Sequence, residues 1–151
     1  MYVHMIVFVV PWIVFWIISD KNKLRKLFVS GTFGAIIALV VDIVQHSFQW
    51  WSFKEDIIPG LDIELSADLG LYPVQAMLLV QYLPKNKLNW HYWIIGISIF
   101  NTLGEYILVK IGQLAYTNGW NIIWTFISYI IPFTLVALHS IFYANKSIKN
   151  S

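Results

Sequence analysis

The chain has 151 residues, of which 58% are hydrophobic, 17% aromatic and only 12% charged. A soluble domain of this length is about half apolar and about a quarter charged, so the balance points to a single bundle solvated by lipid. There are no cysteines, which excludes disulfides, thiolate metal sites and thiol nucleophiles. The net charge of +2 is uninformative as a sum and does not argue for a nucleic-acid partner.

The first predicted span covers 2–18, with Pro11 in its middle. Its length, about 26 Å at 1.5 Å per residue, is enough to span. The basic cluster Lys21, Lys23, Arg25 and Lys26 follows the apolar run instead of preceding it, so the segment is expected to be a retained helix and not a leader. His4 is expected at the outer surface.

A second span is predicted over 27–51. Gly31, Ala35, Ala38, Asp42, Gln45 and Gln49 recur at steps of 4, 3, 4, 3 and 4, which is one face of a helix. Its first half is small, with Gly34 beside it, and suits close helix packing. Its second half is polar, with His46 one turn from Asp42. Residues 52–68 then read as an acidic outer loop carrying Glu55, Asp56, Asp62, Glu64 and Asp68, punctuated by Pro59-Gly60.

The third span, 69–83, is short, with Pro73 near its start and Asp68 placed to cap it. Lys85 and Lys87 fill a tight basic loop. The fourth span, 90–114, carries Ser98, Thr102, Glu105, Val109 and Gly112 on one face, with Asn101 one turn before Glu105. Lys110 lies about 140° around the helix from Glu105, so the two are poor partners and each needs one elsewhere. After the turn YTNGWN comes a fifth span over 122–143, with Pro132 at its centre.

The expected fold class is therefore all-α, an integral membrane bundle of five transmembrane helices. Basic residues mark the cytoplasmic side. The clusters in the first loop, the third loop and the tail agree on an N-terminus outside and a C-terminus in the cytoplasm, which suits a multi-pass protein of a bacterial plasma membrane. This orientation brings Asp42 and Glu105 to a similar depth, roughly 22 Å from the inner ends of their helices.

An ionisable group inside a membrane span raises a functional question by default. Asp42, His46, Asp68, Glu105 and Lys110 together form a candidate outward-facing site for a proton, a cation or a small polar ligand, as in a sensor or transporter component. Two carboxyls close together cannot both ionise comfortably and would share a proton or cation. A simpler reading stands beside it. Asp42 and Glu105 are then hydrogen-bonded to Gln45, Asn101 or tyrosines, or neutralised by Lys110, and only fix packing within a scaffold or interaction subunit. Asp42 and His46 are spaced i, i+4 and so could share a metal with Glu105, but no metal and no cofactor is expected. No HExxH, GxSxG or Walker lysine loop argues for an enzyme. The expected partners are the bilayer and either a second copy or another membrane protein.

The run GEYILVKIGQLAYTNGWNIIWTF resembles the C-terminal half of an uncharacterised family of small five-helix membrane proteins from Bacillus, Clostridium and related Firmicutes. The matching positions are Glu105, Tyr116, Gly119, Trp120 and Asn121, the last four forming a structural turn. SADLGLYPVQAMLLVQYLPKNK is similar to the family's short third span, through Asp68, Pro73 and Pro84. The resemblance covers most of residues 65–128. It implies five spans and a Gram-positive host, and brings no established activity or ligand.

Overall fold

A computed structural model describes residues 2–53 and 63–148 of the chain, and side chains within 4–53 and 63–142. Helix α1 spans Tyr2–Ile18 and α2 Leu24–Phe48, entered through a 3-10 turn at Lys21–Lys23. A short strand β1, Trp51–Phe53, follows α2. The next helical segment is continuous from Ile63 to Tyr82: α3 (Ile63–Ser66), a π turn (Ala67–Leu71) and α4 (Tyr72–Tyr82). Helix α5 covers Trp90–Lys110, strand β2 Leu114–Tyr116 and helix α6 Ile122–Ile148. Four helical segments, Lys21–Phe48, Ile63–Tyr82, Lys87–Lys110 and Ile122–Phe142, are long and apolar enough to cross a membrane; the α1 stretch His4–Ile18 is a shorter apolar helix.

The third segment is the centre of the bundle. Of its apolar window 61% is buried, against 22% for each of the other three. Pro73, Val74, Gln75, Ala76, Met77, Leu79 and Val80 are all buried, with Leu27, Phe133 and Val136 among the residues closing round them. The expected small face of α2 makes this possible. A Cβ on Gly31 would come within 2.8 Å of the Met77 side chain, and one on Gly34 within 2.6 Å of Ala76. Small residues here let two backbones approach, which is how membrane helices gain packing energy without a hydrophobic drive.

The π turn explains how α1 docks. Pro73 has no N–H to offer the Leu69 carbonyl four residues back, and Trp12 of α1 supplies a donor instead, Nε1 to Leu69 O at 3.1 Å. Pro11 likewise cannot serve the Val7 carbonyl, and Gly70 packs directly against that exposed stretch. A Cβ there would sit 2.6 Å from Phe8 Cα and 2.8 Å from Val7 O. Two prolines thus free two carbonyls at one interface, where an indole and a glycine meet them. His4, on the same inward face as Phe15, is buried and not at the surface.

The chain also differs from its sequence-based reading in its element boundaries, α6 running on to Ile148 past the expected 143. Helix α2 ends at Phe48, where Gln49 takes a left-handed conformation (φ 50), so Trp51 belongs to a strand. Helix α5 ends at Lys110, and Leu114 pairs in β2 opposite Phe53 of β1, antiparallel. Glu64 and Asp68, assigned to the outer loop, are inside the third helical segment; the rest of that loop, with Glu55, Asp56, Pro59, Gly60 and Asp62, lies outside the described residues.

The basic clusters of the first and third loops share one end of the bundle, while the side chains of the basic tail lie outside the described residues. Gln81 bonds to Asp20 N and Ile18 O, joining the end of α4 to the loop after α1. The β1–β2 pair and the YTNGWN turn cap the opposite end.

Candidate functional site

The cap is built by the turn. Asn118 (φ 48) and Gly119 (φ 81) supply the positive backbone angles that reverse the chain. Asn118 Nδ2 donates to the Phe48 and Gln49 carbonyls at 3.0 and 3.2 Å, Thr117 Oγ1 donates to the Gln49 carbonyl, and Thr117 N donates to Trp50 O at 2.8 Å. These are carbonyls that the end of α2 leaves without helical donors. Asn121 then caps α6, its Oδ1 accepting from Ile123 N at 3.0 Å. Trp120 stacks on Trp50 at 4.6 Å, and Trp50 on Phe48 at 4.9 Å.

Directly beneath lies Glu105. Thr125 Oγ1 donates to its Oε1 at 3.0 Å and Tyr129 OH to its Oε2 at 2.9 Å, both from α6. The Tyr116 hydroxyl of β2 also bonds to the carboxyl and lies 3.0 Å from Thr125 Oγ1. Thr125 is 1% exposed and in turn accepts from Trp120 Nε1 at 2.9 Å. Beyond Tyr129, its hydroxyl is 3.2 Å from that of Tyr72 on α4. Burial pushes the Tyr116 hydroxyl above the ordinary tyrosine range, with the Glu105 charge adding to it against the opposing bond from Thr125. It therefore stays protonated, and a donor, at neutral pH.

The donors can be assigned consistently. Trp120 gives its proton to Thr125, Thr125 and Tyr129 give theirs to Glu105, and Tyr72 gives its own to Tyr129. An ionised carboxylate only accepts and so needs donors, and this set provides them without a cation. With a proton on Glu105 the chain can run the other way, from the carboxylic O–H to Tyr129 and from Tyr129 to Tyr72.

Comparison with protein-family models, with curated proteins and with solved structures finds no match to this chain.

Of the five candidate site residues, Glu105 is hydrogen-bonded to the tyrosine pair, through Tyr129. Tyr72 lies in the electrostatic field of Glu105, Asp42 and Asp68 together. Asp42 is half-buried on α2, and Asp68 is 1% exposed within the π turn, where it does not begin a helix. Asp42 and Glu105 lie on α2 and α5. His46 is exposed on α2. Lys110 is exposed too, its Nζ 5.3 Å from the centre of the Tyr106 ring on its own helix, with no ion pair to Asp42 or Glu105. Among the described residues no three His, Asp or Glu side chains come together as metal ligands.

Gln45 and Asn101, expected beside the carboxyls, are used elsewhere. Gln45 Nε2 and Trp51 Nε1 both donate to Glu64 Oε1 at 2.8 Å, and Asn101 pairs with Gln75. Tyrosines were expected beside the carboxyls, and Tyr129 is one on Glu105; the sequence reading did not single out Tyr129 or Tyr72, and it did not include Thr125. The available signal was Thr125 and Tyr129 at i, i+4 on α6, two hydroxyls on one face of an apolar helix, which is what an intramembrane carboxyl needs for donors.

Proposed function

We propose that this is a five-span, multi-pass protein of a bacterial plasma membrane that binds and releases a proton at Glu105, as a sensor or a transporter component. The observation that carries this reading is a carboxyl inside an apolar helix held by hydroxyls and no cation, and joined through Tyr129 to Tyr72 within reach of two further carboxyl charges. An intramembrane carboxyl is costly and marks a proton or ion path by default. A proton is favoured over a metal cation because the described carboxyls and histidines do not converge as a ligand set. The orientation rests on the basic clusters at one end of the bundle, which mark the cytoplasmic side and put the aromatic cap and Glu105 toward the outside. Membership of the small Firmicutes family belongs to the same proposal.

A scaffold or interaction role, with a second copy or a membrane partner, is the competing reading. It is favoured by one feature: the Glu105 bonds also tie α5 to α6 and β2, as packing glue would. Infrared titration of the reconstituted protein separates the two. A carboxylic C=O band that appears on acidification and is missing in Glu105→Gln, with membrane accumulation unchanged, supports the proton site. A band indifferent to that substitution, or loss of the variant from the membrane, assigns Glu105 to packing.

A further inference from the structure

We infer that the groove between α2 and α6, below the tryptophan cap, holds one hydrocarbon chain of a bilayer lipid from the leaflet on the capped side. It rests on the membrane-spanning reading and is independent of the proton site.

The groove has a volume of about 630 Å³, walled by Ile36, Val40 and Val44 of α2 and Ile127, Ile131 and Leu135 of α6. That is space for roughly twenty waters at about 30 Å³ each, yet almost nothing in it would bond to water. Its few polar side chains are turned to the protein: Ser128 Oγ donates to Thr125 O at 2.7 Å, and the Asn118 amide N–H groups go to the Phe48 and Gln49 carbonyls. A space of this size and lining in a bilayer fills with hydrocarbon.

Length and wall composition decide between a lipid chain and a partner helix. From Trp124 to Leu135 the groove follows α6 over twelve residues, a rise of about 16 Å at 1.5 Å per residue. One leaflet is half of a hydrocarbon core about 30 Å thick, so the groove matches a single leaflet and is half what a crossing helix would occupy. Docked membrane helices need small residues to approach. On α2 those are Gly31 and Gly34, already against α4, whereas the groove walls are isoleucine, valine and leucine. The upper end is closed by Trp50 and Trp120, stacked at 4.6 Å, and tryptophans of this kind collect at the headgroup level. A chain entering below them has its headgroup at the cap.

Native mass spectrometry of the full chain, released from vesicles of phosphatidylethanolamine and phosphatidylglycerol, tests this. One retained lipid per chain is expected. Val40→Trp and Ile131→Trp, at positions 52% and 55% exposed, should fill the groove and cut retention about tenfold, while Leu103→Trp, on α5 and 57% exposed, should not. Should the filling variants fail to accumulate, phosphatidylcholine brominated along its acyl chains, at low mole fraction, reports on the native groove. Trp124 and Trp93 are similarly exposed, 52% and 46%, so preferential quenching of Trp124, assigned with Trp124→Phe and Trp93→Phe, supports occupancy. Equal quenching, retention indifferent to filling, or quantitative Ile36→Cys disulfide dimers in the membrane would overturn the proposal. Recovery of the chain in the aqueous fraction would instead overturn the membrane reading itself.

Discussion

Gln75 and Asn101 hold each other by two hydrogen bonds across α4 and α5, Nε2 to Oδ1 at 3.0 Å and Nδ2 to Oε1 at 3.1 Å, and both residues are buried. Asn101 Nδ2 also donates to Ile97 O at 2.8 Å, which fixes which way its amide faces. Two helices that pack through few other contacts are thereby locked in register. Removing one partner strands the other, at about 1–3 kcal/mol for a buried unsatisfied group; in membranes such pairs average nearer ~0.6 kcal/mol. Gln75→Leu and Asn101→Leu should each lower the thermal unfolding temperature in detergent, and the double variant should recover most of the loss. Additive losses would show that the two amides do not depend on each other.

Thr125→Val keeps the shape of the side chain and removes its hydroxyl. Trp120 Nε1 then loses its acceptor and Glu105 a donor, so about 1–3 kcal/mol of destabilisation is expected. Thr125→Ser should behave as wild type. Trp120 is also the lid over the groove, so its fluorescence is expected to shift in Thr125→Val alone. Equal melting of the two variants would remove Thr125 from its place under the cap.

The helices were legible because an apolar run of about 20 residues needs no tertiary information, and the small face of α2 because Gly31 and Gly34 obey helical spacing. The β1–β2 pair was not. Three-residue strands carry no alternation to read, and their partners are separated by some sixty residues. The π turn was hidden by Pro73, which by local rules marks the start of a helix. The carbonyl it leaves at Leu69 is met by Trp12 from α1, a partner that only the fold brings there. The site shows the same division: Glu105 was visible as an expensive residue, whereas its donors lie on α6 and β2 and depend on the fold.

Gly70→Ala should be among the most damaging small substitutions in the chain. Its new Cβ would meet Phe8 Cα at 2.6 Å, and because that is backbone no side-chain rotation relieves it. Overpacking of this kind costs about 1–3 kcal/mol, here spent on the docking of α1. Limited proteolysis should cut Gly70→Ala between α1 and α2 faster than wild type. Gly96→Ala, where nothing lies within 4 Å, should be neutral or gain up to about 1 kcal/mol of helix propensity.

Asp20 gives the loop after α1 a pH dependence of known sign. The Lys23 ammonium at 2.8 Å, followed by the Asn22 backbone N–H, holds its carboxyl below the usual range. A depressed native value contributes stability above the unfolded value, about 3.9, which is lost as pH falls through the native one. Between neutral pH and about pH 5, Asp20→Asn should therefore melt slightly below wild type, and the difference should vanish on further acidification. A difference that persists at the lowest pH would trace to something other than the charge.

The absence of cysteine makes the orientation directly measurable, since any introduced thiol is the only one. Gln113 is exposed beside β2 at the capped end, and Lys85 is exposed in the basic loop at the other. With the basic end in the cytoplasm, a membrane-impermeant maleimide added to whole cells should label Gln113→Cys and should reach Lys85→Cys only after lysis. The reverse pattern would turn the bundle over and place the Glu105 site, with its tryptophan cap, on the cytoplasmic side. Labelling of both in intact cells would argue against a single orientation, and with it against a proton site that faces only one compartment.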